Sequence, residues 1–283
     1  MTRAKTIVCV TTVCLATLAA AAFSQPSWVK EAAREATTYS PHKDASALIL
    51  HHSVDATLSA NKTQLHVQKA IRVIKPDAEK FGHLVEAIAP FREVKNLKGW
   101  TLRPEGEMRV LSKEHIIQLS ASGPRDDAHF LAANLPGVKA GAVVAFEYDI
   151  EEIGVTSSYQ SFIFQEQQPV RFVRFSVRMP EGWALHEAEW HLQGINFKRE
   201  PALYEWSGRD LAYRAEEPLM PPWQYLSRRI AIVGYDSTSQ TAEHFRDWSA
   251  VAKWCVALHD PAARAEPDVA AEARRLTQNL NTT

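Results

Sequence analysis

Short runs of alternating apolar and polar residues, from about residue 47 to about residue 234, restrict the possible fold more than any other feature of this sequence. Clear examples lie at residues 64–73, 144–151 and 171–179. Such alternation indicates strands with one side on a core and the other in water. Turn-forming Pro and Gly residues separate the runs, at 104–106, 123–126, 135–137, 180–182 and 221–222. Because no helical segment lies between the strands, the sequence predicts a mainly β fold, an antiparallel β-sandwich, and not a parallel α/β sheet.

The apolar pattern changes to a helical period after residue 234. The first helical stripe includes Trp248, Ala252, Cys255 and His259, and the second includes Val269, Ala273 and Leu276. Pro261 separates the two stripes, and Pro267 falls in the first turn of the second. We therefore predict a polar lead-in at 25–45 with a short helical turn around 28–36, a β-sandwich domain at 46–236, and two C-terminal α-helices within 237–283.

The N-terminus has the parts of a secretory signal peptide. Arg3 and Lys5 precede an apolar stretch at residues 7–22, and small residues mark candidate cleavage sites at its end. The stretch is shorter than the roughly 20 residues of a membrane-spanning helix. We therefore predict a signal peptide at 1–24, export to the periplasm or the extracellular space, and no membrane span after cleavage.

Charge and cysteine content narrow the possible partners. The full sequence has 32 Lys and Arg residues against 33 Asp and Glu residues, a net charge of −1. Removal of residues 1–24 would leave 30 basic residues against 33 acidic ones. This balance offers no electrostatic basis for nucleic-acid binding. Cys255 would be the one remaining cysteine, which excludes an intramolecular disulfide.

Two histidine pairs resemble metal-binding motifs without completing one. His186 and His191 are five residues apart, whereas a zinc-peptidase helix places its histidines four apart. On a strand, an odd spacing directs the two rings to opposite faces. The adjacent His51 and His52 are separated in the same way, so we predict structural roles for all four.

No complete catalytic set is present either. Cys255 and His259 are four residues apart and suggest, as a weak alternative, a cysteine hydrolase. Cys255 lies inside a predicted helix on an apolar stripe, where a buried small hydrophobe is the better interpretation. Glu151 and Glu152 are interpreted as solvated surface carboxylates. Phosphate-loop, Gly-x-Ser-x-Gly and Cys-x-x-Cys strings are absent, so the sequence assigns no catalytic, cofactor-binding or metal-binding residue.

Tryptophan is frequent, with eight residues, and exposed aromatic rings can bind carbohydrate or peptide. Five of them lie within periodic apolar patterns and are predicted to be core residues, namely Trp100, Trp183, Trp206, Trp248 and Trp254. Trp223 follows two prolines outside these patterns. It is the predicted surface contact residue.

Three strings, taken in order, resemble a bacterial domain of unknown function that commonly stands N-terminal to transglutaminase-like domains in exported proteins. The first is FREVKNLKGWTLRPEG at 91–106, and the second is NLPGVKAG at 134–141 with the strand that follows. The third is the exit region, with Glu217–Pro218, the prolines at 221–222, Trp248 and Trp254. The resemblance covers residues 48–258, nearly all of the chain after the signal peptide.

The resemblance implies a β-sandwich without an activity of its own, because chemistry in the related proteins belongs to the following domain. The nucleophile there stands in a Gly-Asp-Cys-like context that this sequence lacks, so it is not transferred to Cys255. We expect a non-catalytic exported module that positions substrate for a transglutaminase-like catalytic domain, in cis or in trans, or shields its cleft. That domain is expected to be missing here, with 237–283 resembling only its start. The alternative is an independent module that binds cell-envelope glycan or peptide.

Overall fold

The computed structural model of the protein describes residues 26–120, 129–154, 158–238, 243–244, 247–264 and 266–278. Within these ranges, fourteen strands in mixed sheets are followed by two C-terminal helices. The predicted mainly β fold is confirmed. The predicted signal peptide at 1–24 lies outside the described residues.

The strands and helices are numbered in chain order. The strands are β1 (Ala47–Ser59), β2 (Lys62–Val73), β3 (His83–Ile88), β4 (Arg92–Leu102), β5 (Met108–Val110), β6 (Ile116–Ser120), β7 (His129–Asn134), β8 (Val143–Ile153), β9 (Ser158–Gln165), β10 (Val170–Arg178), β11 (Trp183–Trp190), β12 (Ile195–Glu200), β13 (Leu203–Leu211) and β14 (Arg228–Asp236). The α-helices are α1 (Ser27–Thr38), α2 (Trp223–Leu226), α3 (Trp248–Ala263) and α4 (Pro267–Thr277), and 3₁₀ turns cover Pro76–Gly82 and Lys113–His115.

One large sheet has eight strands in the order β12-β13-β10-β1-β2-β8-β4-β5. Two smaller sheets have the orders β11-β14-β9 and β3-β7-β6. Within the large sheet β1 and β10 pair in parallel, with Ile49 opposite Val170, whereas every other pairing is antiparallel. The crossover that a parallel pair requires is supplied by the intervening strands and not by a helix.

The smaller sheets lie on one face of the large sheet, which we call its inner face. The ring of Phe162 in β9 stacks on that of Phe175 in β10, with centroids 5.1 Å apart. The hydroxyl of Tyr148 in β8 donates to Glu86 Oε1 in β3 at 2.7 Å. Both smaller sheets therefore contact the inner face, and the buried apolar residues of the alternating runs fill the layer between them.

A β-bulge in β1 determines which side chains reach this layer. The pairing register between β1 and β2 shifts just before His51. As a result Leu50 and His51 both lie on the outer face, where the His51 ring is 5.5 Å from Trp28. His52 lies on the inner face, with its ring centroid 4.8 Å from that of Phe162. The predicted separation of the two adjacent histidines is confirmed.

Helix α1 covers part of the outer face, although its sequence belongs to the predicted polar lead-in. The indole N–H of Trp28 donates to Glu147 Oε2 at 2.6 Å, and Arg72 Nη1 donates to the carbonyl of Ala36 at 2.7 Å. The buried side of the helix packs in one cluster with Leu48, Leu50 and Trp100, and it consists of Val29, Ala32 and Ala36. The helix is thus part of the sandwich domain, with an amphipathic pattern that its polar composition hides.

The described residues divide into two compact units. The first comprises those up to Glu181 together with Leu185–Gly234, and the second comprises Gly182–Ala184 together with those from Tyr235 onward. In the second unit Asp247 caps helix α3, since its Oδ1 accepts from the backbone N–H of Ala250 at 2.8 Å. No helix in the described part of the chain is long and apolar enough to cross a membrane.

Two expectations about the C-terminal helices are wrong. Pro261 does not separate them, because α3 continues through it for two further residues and ends at Ala263. A proline removes one backbone N–H donor, so the helix loses a single hydrogen bond there and continues for one short segment. Trp248 is not a core residue, since it begins α3 with 87% of its surface exposed. A helical period identifies a stripe, but it does not show whether another element covers that stripe.

Candidate functional site

A groove opens between β9 and β3 above the inner face of the large sheet. It contains two cavities of about 370 Å³ and about 570 Å³, both lined by His52, and we call them together the interior groove. Residues 159–162 of β9 border the smaller cavity, and residues 163–165 border the larger one. On the other side lie Glu86 of β3 and the preceding residues Lys80 and Phe81. Each volume falls in the range of about 300–1,000 Å³ that is typical of ligand pockets.

An ion-pair network forms the wall of the smaller cavity. Arg92 Nη2 donates to Glu86 Oε2 at 3.2 Å, and Arg92 Nη1 donates to Glu152. Gln160 Nε2 donates to Glu152 Oε2 at 3.0 Å, and Tyr148 bonds Glu86 from the other side. Burial and the nearby Glu86 raise the pKa of Tyr148 above its ordinary value, so the hydroxyl remains a donor. Two carboxylates share one guanidinium, which makes this end of the groove acidic.

Lys69 and His52 line the larger cavity from the floor of the groove. They lie directly opposite each other on β2 and β1. Within the described part of the chain, neither side chain has a hydrogen bond or an ion pair. Burial lowers the pKa of Lys69, an effect that Glu166 and Glu86 oppose. Burial and the Lys69 charge lower the pKa of His52 well below its usual value, so this ring is neutral at neutral pH.

Trp223, the predicted contact residue, lines the larger cavity. It is half-buried and begins α2, directly after Pro222. The Arg214 guanidinium carbon lies 5.3 Å from its ring centroid, and Arg214 Nη1 donates to the carbonyl of Leu226 at 2.6 Å. These contacts hold the indole at the cavity. Contact between Trp223 and a ligand stays a prediction.

On the outer face, His51 is enclosed by aromatic rings and by arginine charges. Its ring centroid is 5.0 Å from that of Phe172 and 5.5 Å from that of Trp28. The Nε2 atom shares a hydrogen bond of 2.9 Å with the Ser53 hydroxyl. Burial, reinforced by nearby Arg174 and Arg209, lowers the pKa of His51 to about 4. The imidazole is therefore neutral near pH 7.

Replacement of His51 with glutamine is expected to reduce the acid sensitivity of folding. Because the folded-state pKa is about 4 and the ordinary value is 6.5, the unfolded chain binds more protons between these pH values. Stability is thus fully present above pH 6.5 and is lost as the pH falls toward 4, by up to about 3 kcal/mol from this group. Urea unfolding at pH 7 and pH 4.5 measures the loss, and exposed His129→Gln is the control. Equal acid losses in His51→Gln and the parent protein would contradict the assignment.

The other candidate residues lie on or next to β11 and on α3. His191 lies just after the end of β11, and its Nε2 shares a 2.9 Å hydrogen bond with the backbone carbonyl of Tyr225. His186 lies within β11, five residues earlier. Cys255 is a half-buried free thiol on α3, and His259 is exposed on the same helix. Among the described residues, no group of three or more His, Cys, Asp or Glu side chains could hold a metal ion.

The sequence analysis did not place two charged residues, Lys69 and Glu152, in the interior groove. The alternation nevertheless contained a signal for both. Lys69 stands in phase with the inward-facing Val67 and Ile71 of β2. Glu152 is likewise in phase with the inward-facing residues of β8, and it pairs with Arg92 instead of being a solvated surface group. Charged residues at apolar phases mark buried polar sites. Glu151, by contrast, lies on the outer face and pairs with Lys62 and Lys95.

Comparison of the sequence with protein families finds DUF3857, described as a domain of unknown function with a solved structure, over residues 59–215. The match extends over more than half of the chain. The chain belongs to the DUF3857 family. The DUF3857 match includes Lys69 and the whole ion-pair network, and it ends before Trp223. No curated protein matches the sequence.

Among solved structures, a "putative protease" from Parabacteroides distasonis resembles this DUF3857 protein in fold. The two share 15% sequence identity with a TM-score of 0.59, over 83% of this chain and 50% of that one. This chain therefore spans half of the length of the Parabacteroides protein. An M1 zinc metallopeptidase from Deinococcus radiodurans is more distant, with 9% identity and a TM-score of 0.34 over 69% of this chain and 43% of that one.

Proposed function

We propose that this protein is a non-catalytic, exported β-sandwich module that positions a peptide substrate for a transglutaminase-like enzyme. The observation that carries the proposal is the interior groove, which holds Lys69 and His52 without polar partners among the described residues. Unpartnered polar groups in a concave site are the usual means by which a protein orients a ligand. Export rests on the signal-peptide pattern at 1–24.

The mutual pairing of the charged groups in the smaller cavity favours a binding role over a catalytic one. The charged groups of the smaller cavity are engaged with one another, since Arg92 bonds both Glu86 and Glu152. Cys255 and His259, the candidates for a hydrolase, belong to a helix of the second unit. The transglutaminase-like partner follows from the three sequence strings that resemble the transglutaminase-associated domain, and it supplies the chemistry in this proposal.

Addition of the protein is expected to lower the KM of a transglutaminase-like enzyme encoded beside it, with kcat unchanged, because the groove raises the local concentration of peptide. With Trp223→Ala the KM is expected to be about tenfold higher than with the parent protein. Truncation of a contact tryptophan weakens peptide binding by about 1.4 kcal/mol or more. The measurement is steady-state turnover of a peptide amide in the presence of each variant.

Trp248→Ala is the matched control, because Trp248 is 87% exposed and belongs to the second unit. It is expected to behave as the parent protein does. An enzyme whose KM does not respond to the protein would contradict the proposal. Turnover by the purified protein alone, lost on Cys255→Ala, would also contradict it and would favour the cysteine hydrolase.

An independent cell-envelope binding module is the second candidate, favoured by the position of the Trp223 indole at the larger cavity. Aromatic rings at cavity rims stack on sugars as well as on peptides. This candidate is supported over the first if the protein binds a soluble envelope glycan fragment, if Trp223→Ala abolishes that binding, and if the protein has no effect on the KM of the enzyme.

A further inference from the structure

Two unpaired strand edges border the interior groove. In the sheets that the structure describes, β9 pairs with β14 and with no other strand, and β3 pairs with β7 alone. Residues 159–162 of β9 and Glu86 of β3 line the same cavity. In an antiparallel pair, main-chain groups facing the neighbour alternate with groups facing away from it. Half of the β9 amides and carbonyls are therefore directed to the groove side.

The β9 edge lacks the usual protection against added strands. Natural edge strands carry lysine, proline or inward-pointing charge, which discourage pairing with another chain. The sequence of β9, SYQSFIFQ, contains no charged residue and no proline. Its outward-facing side chains include Tyr159 and Ile163, which are 57% and 40% exposed. An edge of this kind is suited to receiving an extended peptide.

The charges along the groove indicate the chemistry of that peptide. At the smaller cavity Glu86 and Glu152 share Arg92, so an acidic side chain is repelled there. At the larger cavity Lys69 lies on the floor without an ion pair to a described residue, beside the neutral ring of His52. A partly buried cation is stabilised by a carboxylate placed next to it.

Other charges at the larger cavity define the environment of such a carboxylate. Lys80 lines the cavity together with Lys69, and Glu166 and Glu216 also lie along its lining. Both glutamates are exposed, so water screens their repulsion of an incoming carboxylate more than it screens the attraction of partly buried Lys69.

We propose that β9 binds an extended peptide as an added strand, and that an acidic side chain of this peptide pairs with Lys69 at the larger cavity. This inference rests on the proposed function and specifies its substrate class. Successive side chains of an added strand alternate between two sides. One set therefore faces the floor with Lys69, and the other lies beside Tyr159 and Ile163, where β-branched residues fit best.

The test uses fluorescein-labelled nine-residue peptides in which valine alternates with serine and the central serine is replaced by glutamate, glutamine or lysine. Fluorescence anisotropy with the whole protein is expected to show at least tenfold tighter binding of the glutamate peptide than of the glutamine peptide. Lys69→Gln is expected to remove this preference and to leave the affinity for the glutamine peptide unchanged. An unchanged glutamate preference in Lys69→Gln would overturn the pairing.

Backbone methylation tests strand addition without altering the protein. Two versions of the glutamate peptide carry N-methyl groups on alternate residues, in opposite phases, and one phase blocks the hydrogen bonds to β9. One version is expected to lose at least tenfold in affinity and the other to retain it, whereas equal affinities would overturn the proposal. The N-methyl peptides test strand addition to β9 even if Lys69→Gln fails to fold.

Failure of this inference and failure of the proposed function are distinguishable. If the peptides bind with the expected N-methyl pattern while the KM of the enzyme does not respond to the protein, the result supports the added strand and refutes the enzyme partnership. An enzyme that responds to the protein while all of the nine-residue peptides bind equally well refutes the added strand and leaves the partnership.

Discussion

Replacement of Val29 with aspartate is expected to destabilise the sandwich domain by about 5 kcal/mol, comparable to the whole stability of many domains. Val29 is fully buried in the cluster that α1 forms with the outer face of the large sheet. The substitution removes about 2 kcal/mol of apolar burial and places a carboxylate within an apolar cluster, which costs about 3 kcal/mol or more. Urea unfolding followed by tryptophan fluorescence measures the change.

Ser27→Asp is the matched control for this substitution. It introduces the same charge two residues earlier, at the exposed first residue of α1. Acidic groups at a helix N-terminus interact favourably with the helix dipole, so stability is expected to stay within about 0.5 kcal/mol of the parent protein. If both variants unfold at the same urea concentration as the parent, α1 does not contribute to the stability of the sandwich.

Arg92→Met is expected to cost about 3–5 kcal/mol, because it leaves two carboxylates without their shared cation. The side chains of Glu86 and Glu152 are 20% and 15% exposed, so water replaces little of the lost interaction. Urea unfolding of the variant and of the parent protein at pH 7 measures the loss.

Lys95→Met, on the same strand, separates burial from charge. Lys95 also bonds two carboxylates, Glu93 Oε2 at 3.2 Å and Glu151 Oε1 at 2.8 Å, but it does so on the exposed outer face. Exposed ion pairs contribute about 0–1 kcal/mol. A loss in Lys95→Met as large as that in Arg92→Met would refute the view that burial makes the Arg92 network important.

Much of the fold follows from the alternation of apolar and polar residues, and the exceptions have physical reasons. Alternation shows which residues share a face, so residues 64–73 and 144–151 were correctly expected to be strands. It carries no information on which strand lies beside which. The parallel pairing of β1 with β10 joins segments that are far apart in the sequence, and no local pattern reports it.

The sequence singled out one residue that lines the interior groove but did not predict the groove itself. The break in periodicity after two prolines drew attention to Trp223, which lines the larger cavity. Lys69 was overlooked and Glu152 was wrongly assigned to the solvent, because a single charged residue in an alternating run does not show which face of the strand is buried. Their place in the groove depends on neighbours that come from β1, β4 and β9, and these strands are distant in the sequence.

The parallel contact between β1 and β10 also has a consequence for the order in which the chain matures during synthesis. The partner of Ile49 is Val170, more than a hundred residues later. A ribosome therefore releases β1 and β2 well before β10, the strand that pairs with the other side of β1. Until then the main-chain groups on one side of β1 bond to water and lack a strand partner, and sheets closed by distant segments form slowly. We therefore expect chaperones to have access to this nascent chain for longer than to a sandwich whose neighbouring strands are consecutive in the sequence.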